Sequence, residues 1–319
     1  VQKIPGSFRV KSNFKGIWVW KKDADNKQVD RMNYNAPEFP KRIEIELASS
    51  CNLRCIYCPR HYVDNLNGFI DLDLFKKIIS EIEKYPETVL VLHRRGESLL
   101  HPEFKEILNA VSGKFKEVQM ATNATLLTQD KYESLVKGLT FISFSIDTPE
   151  EFDKTRIPAK YKDVEKNILS FLEYNKGRVK TQVSMVKTSK TPQENCELFK
   201  KIWAGKVDRV RIYDEHSVGG VFGATHNPRD QRKPCVMPIY ELLIYEDGTV
   251  GRCNHDWKGE PMGDLKSHTI KEVWNSTRYN DLRNQHKNLK FTDKVCMECD
   301  SWYPEIGRQD TGEVIINEA

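Results

Sequence analysis

Six short runs of strand-forming residues recur through the middle of the chain, separated by segments of helical periodicity. They are RIEIELA (42–48), TVLVLHR (88–94), VQMATN (118–123), FISFSID (141–147), KTQVSMV (180–186) and DRVRIYD (208–214). After the first, Leu74, Phe75, Ile78, Ile79 and Ile82 fall at helical spacing in LDLFKKIISEIEKY. TPQENCELFKKIW opens with Thr191 as N-cap and Pro192 at the first helical position. Such alternation predicts a parallel sheet with right-handed crossovers. In the first strand Ile43, Ile45 and Leu47 alternate with Arg42, Glu44 and Glu46; in the fourth Ile142, Phe144 and Ile146 alternate with Ser143, Ser145 and Asp147. In the sixth, Val210 and Ile212 alternate with Arg209 and Arg211. A closed eight-stranded barrel fills its lumen with branched apolar side chains. One apolar and one polar face predict instead an α/β fold, an open, partial (β/α)6 TIM-like barrel whose polar lumen holds a ligand. The alternative is an antiparallel sheet facing solvent, against which the intervening helices count.

The 319 residues suffice for one large or two modest domains. Lysine plus arginine number 50 against 46 acidic residues, too small a surplus to argue for nucleic acid or an acidic membrane. No run of eighteen apolar residues exists, and VQKIPGSFRVKSNFKG has no apolar core of signal-peptide type, so a soluble cytoplasmic protein is expected. In that setting eight cysteines favour metal or redox chemistry over disulfides.

Seven of those cysteines form two groups. Cys51, Cys55 and Cys58, in CNLRCIYCPR, directly follow the first strand, at the end where α/β barrels carry their active sites. A structural zinc ion or an electron-carrying 4Fe-4S cluster takes four protein ligands. Three thiolates leave one metal position open; the alternative is a zinc site completed by a distant residue such as His61. The second group is Cys235, Cys253, Cys296 and Cys299. Two β-runs flank Asp247-Gly248, a hairpin signal that brings Cys235 and Cys253 together at its open end. Cys296 and Cys299 add a CxxC, and four thiolates complete a site for a cluster or for zinc; zinc ribbons typically use two CxxC pairs, and one is present. Cys196, in a helix beside Leu198 and Phe199, is read as a small buried side chain or as a hydrogen donor to a substrate radical.

CxxxCxxC after the first strand of a βα series resembles the signature of the radical S-adenosylmethionine (SAM) enzymes. That resemblance implies that Cys51, Cys55 and Cys58 hold a 4Fe-4S cluster whose open iron binds the amino and carboxylate groups of SAM. It further implies reductive cleavage to a 5′-deoxyadenosyl radical that abstracts hydrogen from substrate. Tyr57 matches the aromatic position near adenine. RRGESLLHPEF (94–104) resembles the family's GGE motif, with Gly96 and Glu97 in place and Arg95 for the first glycine; the glutamate contacts the methionine amino group. TNAT (122–125) resembles the Thr-Asn-Gly turn of the third strand, placing Asn123 at the cofactor with Ala124 for glycine. Ser145, Asp147 and Arg156 resemble the segment whose Ser and Arg bind the methionine carboxylate. The C-terminal segment, with MGDLKSHTIKEVWNS (262–276), resembles the twitch domain, a short relative of the SPASM extension, which carries one auxiliary 4Fe-4S cluster.

The expected divisions are an N-terminal extension (1–41, with GIWVWKK as a candidate strand), the barrel (42–215), a Gly-rich linker (216–233), the auxiliary-cluster domain (234–304) and a tail (305–319) that is an interface strand or unstructured. The resemblance implies two 4Fe-4S clusters, SAM, and an electron donor such as flavodoxin or ferredoxin. The leading expectation is oxidoreductase-like chemistry on a small, polar, sugar-, cyclitol- or nucleotide-linked molecule, with the auxiliary cluster assisting electron transfer. Strand phase sends His93, Arg95, Arg209 and Arg211 toward the lumen or its mouth, where arginine forks suit an anionic substrate; pairing with Glu44, Glu46 or Asp214 is the other account of that charge. The alternative is a peptide maturase that epimerises, oxidises or cross-links a residue; residues 1–41 are too short for a winged-helix peptide-binding domain. A non-catalytic iron–sulfur or zinc protein is the third reading, opposed by the open three-cysteine site and Glu97.

Overall fold

The computed structural model describes residues 34–64, 66–215, 232–257, 259–299, 302 and 312–316. In chain order its elements are β1 (Arg42–Ile45), β2 (Arg54–Cys55), α1 (Leu72–Ile82), β3 (Val89–Val91), α2 (Phe104–Val111), β4 (Val118–Thr122), α3 (Gln129–Gly138) and β5 (Phe141–Ser145). Next come α4 (Pro149–Thr155), β6 (Arg156–Ile157), α5 (Tyr161–Asn175), β7 (Lys180–Lys187), α6 (Gln193–Trp203) and β8 (Arg209–Asp214). The C-terminal part adds α7 (Met237–Tyr240), β9 (Glu241–Ile244), β10 (Thr249–Gly251), β11 (Gly263–Asp264), α8 (Ile270–Trp274), α9 (Thr277–Asn288), α10 (Lys294–Glu298) and β12 (Gly312–Ile316).

The six expected strands pair in parallel, in the order β1-β3-β4-β5-β7-β8. Their apolar phase is sealed under the helices: Ile43, Ile45, Leu90, Ile142, Phe144 and Val183 are fully buried. Helix α1 turns Phe75, Ile78, Ile79 and Ile82 to the same core, each contributing about 1.5–3 kcal/mol by leaving water. The opposite phase is polar yet also buried, with Glu44, Glu46, Ser143, Gln182, Ser184 and Arg211 under 9% exposed. The fold is thus a partial barrel with a polar lumen. Helix α6 starts at Gln193 with Pro192 in the cap position, one residue later than the spacing predicts. The hydroxyl of Thr191 instead accepts from the Thr188 N–H, which closes a tight turn.

Two pairings lie beyond the sequence reading. The hairpin β9–β10 forms about Gly248 (φ +85°), where the Asp247 carboxylate accepts from Thr249 N–H. It does not make a separate sheet: β9 joins β1 in parallel, Arg42 to Glu241 through Ile45 to Ile244. At the far edge β12 pairs antiparallel with β8, so part of the 305–319 tail is an edge strand. Residues 34–41 pack on the C-terminal part, where Trp274 donates to the Pro37 carbonyl. The candidate strand GIWVWKK and most of the 216–233 linker lie outside the described residues. Among those residues no helix is long and apolar enough to cross a membrane.

Candidate functional site

The CxxxCxxC segment leaves β1 and is folded back over the barrel mouth. Its Arg54–Cys55 backbone pairs with Arg156–Ile157, and Arg60 donates to the carbonyls of Ser49 and Leu66. The thiols of Cys51, Cys55 and Cys58 are within electrostatic reach of one another. Burial raises all three, Cys55 to about 11, so without metal they are protonated near neutrality. The Leu53 N–H (3.5 Å) and Asn123 Nδ2 (3.9 Å) face the Cys51 sulfur. His61 holds Nε2 3.1 Å from the Cys55 carbonyl. A carbonyl can only accept, so in this pose that nitrogen carries a proton and is not a metal ligand.

Gly96 and Glu97 stand beside this loop. A Cβ on Gly96 would lie 2.2 Å from the Ser50 carbonyl oxygen and 2.3 Å from that of Ala48, closer than any packing permits. Glycine here lets the loop after β3 cross the backbone leading to Cys51, and the Glu97 N–H bonds to Ser50 O at 2.8 Å. The Glu97 carboxylate is 2% exposed and accepts from Leu99 N–H (3.0 Å), Thr122 Oγ1 (2.7 Å) and Asn123 N–H (2.7 Å). Burial raises its pKa against those bonds. No cation contacts it among the described residues, so its chemistry fits a ligand ammonium group. Ala124 occupies the left-handed region at φ +58°, the conformation that explains why glycine suits this turn. Asn123 is tied to Asn52 (2.9 Å) and to Thr125, which also binds Asn52.

Asp147 gathers the third corner. It accepts from Tyr57 OH (2.9 Å), Thr155 Oγ1 (2.7 Å) and, in a fork, Arg156 Nε (2.9 Å) and an Arg156 terminal nitrogen (3.1 Å). The Arg156 guanidinium also lies 5.4 Å from the Tyr57 ring centroid. Burial is the largest influence and opposes its charge, but Asp147, Tyr57 and Cys55 together outweigh it and its pKa is raised. Ser145, half-buried, ends β5 two residues before Asp147.

Two of the lumen arginines, Arg95 and Arg42, are paired with carboxylates. Arg95 grips Glu46 with two bonds (2.8 and 2.6 Å), reaches Glu246 at 3.1 Å, and stacks over Tyr245 at 3.9 Å. Arg42 pairs with Glu241 at 3.0 Å. His93 accepts from the Ala121 N–H through Nδ1, and burial brings it down to about 3, so it is neutral. Arg209 donates to Gln182 and lies over Phe141; Arg211 lies 4.9 Å over Tyr213.

In the C-terminal part, Cys235, Cys296 and Cys299 act electrostatically on Cys253, and Cys235 and Cys299 act on Cys296. Burial raises Cys253 strongly and takes Cys296 to about 12. The surrounding frame holds the thiol-bearing segments in place. Arg252 pairs with Asp256 and with Asp293, the residue that caps α10, and Arg232 donates to Cys299 O at 3.2 Å. Arg94, from the barrel, donates to Asn254 O at 2.7 Å and approaches Glu44 at 3.8 Å. Among the described residues no three Cys, His, Asp or Glu side chains converge as a single-ion site. Cys196 is fully buried in the apolar core on α6. Glu246 and His286 carry no motif of their own and were not legible as site neighbours, whereas Glu46 is the partner that the strand pattern offers Arg95.

This arrangement defines an iron–sulfur enzyme built on an open barrel. Residues 45–202 match the radical SAM superfamily, and 235–300 match the SPASM iron–sulfur cluster-binding domain. The chain belongs to the radical SAM superfamily and carries a C-terminal domain of SPASM type. It is 34% identical over 109 residues to the cofactor-modifying protein of tungsten-containing aldehyde ferredoxin oxidoreductase from Pyrococcus furiosus, covering 34% of this chain and 31% of that one. It is 32% identical over 116 residues to the subtilosin biosynthesis protein AlbA of Bacillus subtilis, covering 35% and 25%. The match thus spans less than a third of either relative's length. Among solved structures it resembles Streptococcus suis SuiB bound to the precursor peptide SuiA (TM-score 0.67, 14% identity, 85% of this chain and 73% of that one). It also resembles BtrN in complex with AdoMet and 2-DOIA (TM-score 0.57, 17% identity, 82% and 93%).

Proposed function

We propose that this chain is a radical SAM enzyme that modifies a peptide, with the barrel (42–215) and auxiliary-cluster domain (234–304) holding one 4Fe-4S cluster each. Cys51, Cys55 and Cys58 would hold the open cluster. Glu97 would take the SAM ammonium, Arg156 and Ser145 its carboxylate, and Asn123, Tyr57 and Asp147 would line the rest of its seat around Gly96. Cys235, Cys253, Cys296 and Cys299 would hold the auxiliary cluster. When bound, the open cluster and SAM together supply a primary carbon radical able to take hydrogen from an unactivated C–H bond. The chain's own residues order the Cys51 loop against β6, sequester the Glu97 carboxylate, and keep Arg156 aligned through Asp147.

Arg95 between Glu46 and Glu246 carries the choice of substrate. The anionic-substrate reading requires surplus positive charge at the mouth, and Arg95 is neutralised by Glu46, with Glu246 beside it as a second, protonatable carboxyl. A peptide, mostly neutral along its backbone, fits such a lumen better. The likeness to SuiB with its precursor peptide and to AlbA supports the same reading. Oxidation of a small polar molecule is the second reading, supported by coverage of 93% of BtrN.

The test is to supply reduced enzyme and SAM with perdeuterated lysate of the source cells, split by size into a peptide and a metabolite fraction. Deuterium should enter 5′-deoxyadenosine from the peptide fraction. Transfer from the metabolite fraction alone would reject the peptide reading, and no 5′-deoxyadenosine at all would reject SAM cleavage.

A further inference from the structure

We propose that His286 is a positioning residue for the auxiliary cluster, donating a hydrogen bond from Nε2–H to the Cys296 sulfur and thereby setting that cluster's reduction potential. The inference rests on the four-cysteine reading above and goes beyond it. His286 lies in the last turn of α9 and is 2% exposed. Its two ring nitrogens meet two different cysteine residues. Nδ1 accepts the backbone N–H of Cys235 at 3.1 Å, and Nε2 lies 3.6 Å from the Cys296 sulfur.

The first contact fixes the second. A ring nitrogen that accepts an N–H bears no proton, so the neutral imidazole carries its one proton on Nε2. That N–H therefore points at the sulfur as a donor. The ring is held on its sides as well. Tyr34 stacks on it at 6.3 Å between centroids and 16° between planes, while its hydroxyl donates to Cys235 O at 2.5 Å. Phe291 meets the ring edge-on at 4.9 Å. A ring flip would put Cδ2–H against the Cys235 N–H and Cε1–H against the Cys296 sulfur, losing both contacts.

A donor aimed at a ligand sulfur stabilises the more electron-rich, reduced cluster, so it raises the potential. Imidazole also spans two of the four cysteine residues, which fixes their separation before iron arrives. Arg232, by contrast, donates to the Cys299 carbonyl.

Two substitutions separate the two nitrogens. His286→Gln places an amide N–H near the Nε2 position and loses the acceptor for Cys235. His286→Asn keeps an acceptor near Nδ1 and loses the donor to Cys296. The measurement is an EPR-monitored redox titration of the reconstituted full chain, with the auxiliary signal assigned as the one that added SAM leaves unchanged. Loss of the donor should shift the oxidised-to-reduced ratio roughly tenfold, a fall of about 59 mV for one electron. His286→Asn should show that fall, and His286→Gln should stay near the wild type. Equal potentials in all three proteins, or equal falls in both variants, overturn the proposal. If His286→Asn does not load, nitrogen ENDOR on 15N-histidine-labelled wild type and His286→Gln decides. A histidine coupling that vanishes in the variant supports it, and an unchanged spectrum overturns it. A wild type holding the SAM-responsive cluster alone would bring down the four-cysteine reading itself, whereas two clusters with an unmoved potential bring down this inference alone.

Discussion

At Gly96 one methyl group decides whether the loop carrying Glu97 can cross the chain that leads to Cys51. Backbone oxygens at 2.2 and 2.3 Å from a would-be Cβ cannot swing aside as a side chain would. Gly96→Ala should therefore cost about 3 kcal/mol, at the upper end for overpacking, and abolish SAM binding. Anaerobic urea unfolding and a SAM binding isotherm check this, and an unchanged midpoint would contradict it. Glu246 offers a pH-dependent counterpart. Burial first, then its bond to and the charge of Glu46, lift it from the ordinary 4.5 to about 7. Between those values the unfolded chain has given up this proton while the folded chain keeps it. Its contribution to stability is thus complete below pH 4.5, falls as pH rises toward 7 and is level above. Glutamine mimics the protonated acid, so Glu246→Gln should match the wild type near pH 4.5 and exceed it by about 1 kcal/mol at pH 8. Parallel denaturation curves at the two pH values measure the difference; a variant weaker at pH 8 refutes it.

Among the elements, what was legible and what was not divide along a physical line. Strand faces such as Ile43/Ile45/Leu47 against Arg42/Glu44/Glu46 revealed the polar lumen because side chains alternate with period two. The tight CxxxCxxC spacing revealed the thiol loop, since its ligands are local in sequence. Of the pairing partners of the lumen charges, Glu46 was legible from strand phase and Glu246 was not: Arg95 finds Glu246 across the chain, and no local pattern encodes that distance. His286 left a faint signal, sitting seven residues after Tyr279 on the inner face of an otherwise polar helix. Arg94 shows how a loop element joins two parts of the molecule. It ends the second strand run, faces Glu44, and holds the carbonyls of the Cys253–Asn254 turn with Trp257 beneath it at 5.6 Å. Arg94→Lys keeps a charge but loses the fork. The auxiliary site should then release iron to a chelator roughly tenfold faster, as outer-shell losses commonly do, with SAM cleavage changed much less. Iron release timed by a chromophoric chelator checks it, and an unchanged rate would show that the turn holds itself.

For the whole molecule, the two cysteine groups predict about eight irons per chain. Replacing Cys51, Cys55 and Cys58 together by alanine should leave about four and remove all SAM cleavage. Iron assay alongside 5′-deoxyadenosine detection tests both, and zinc in place of the second set of irons would refute the auxiliary cluster. The pairing of β9 with β1 has a consequence for synthesis. As the nascent polypeptide leaves the ribosome, residue 42 must wait for residue 241 before one flank of its strand is covered. Through that interval the strand leading into Cys51 shows bare amide and carbonyl groups to every other chain nearby. The first-made thiols thus stand beside an unfinished seam, and a chaperone or metal-delivery factor that recognises open strand edges would find the barrel at its most receptive stage.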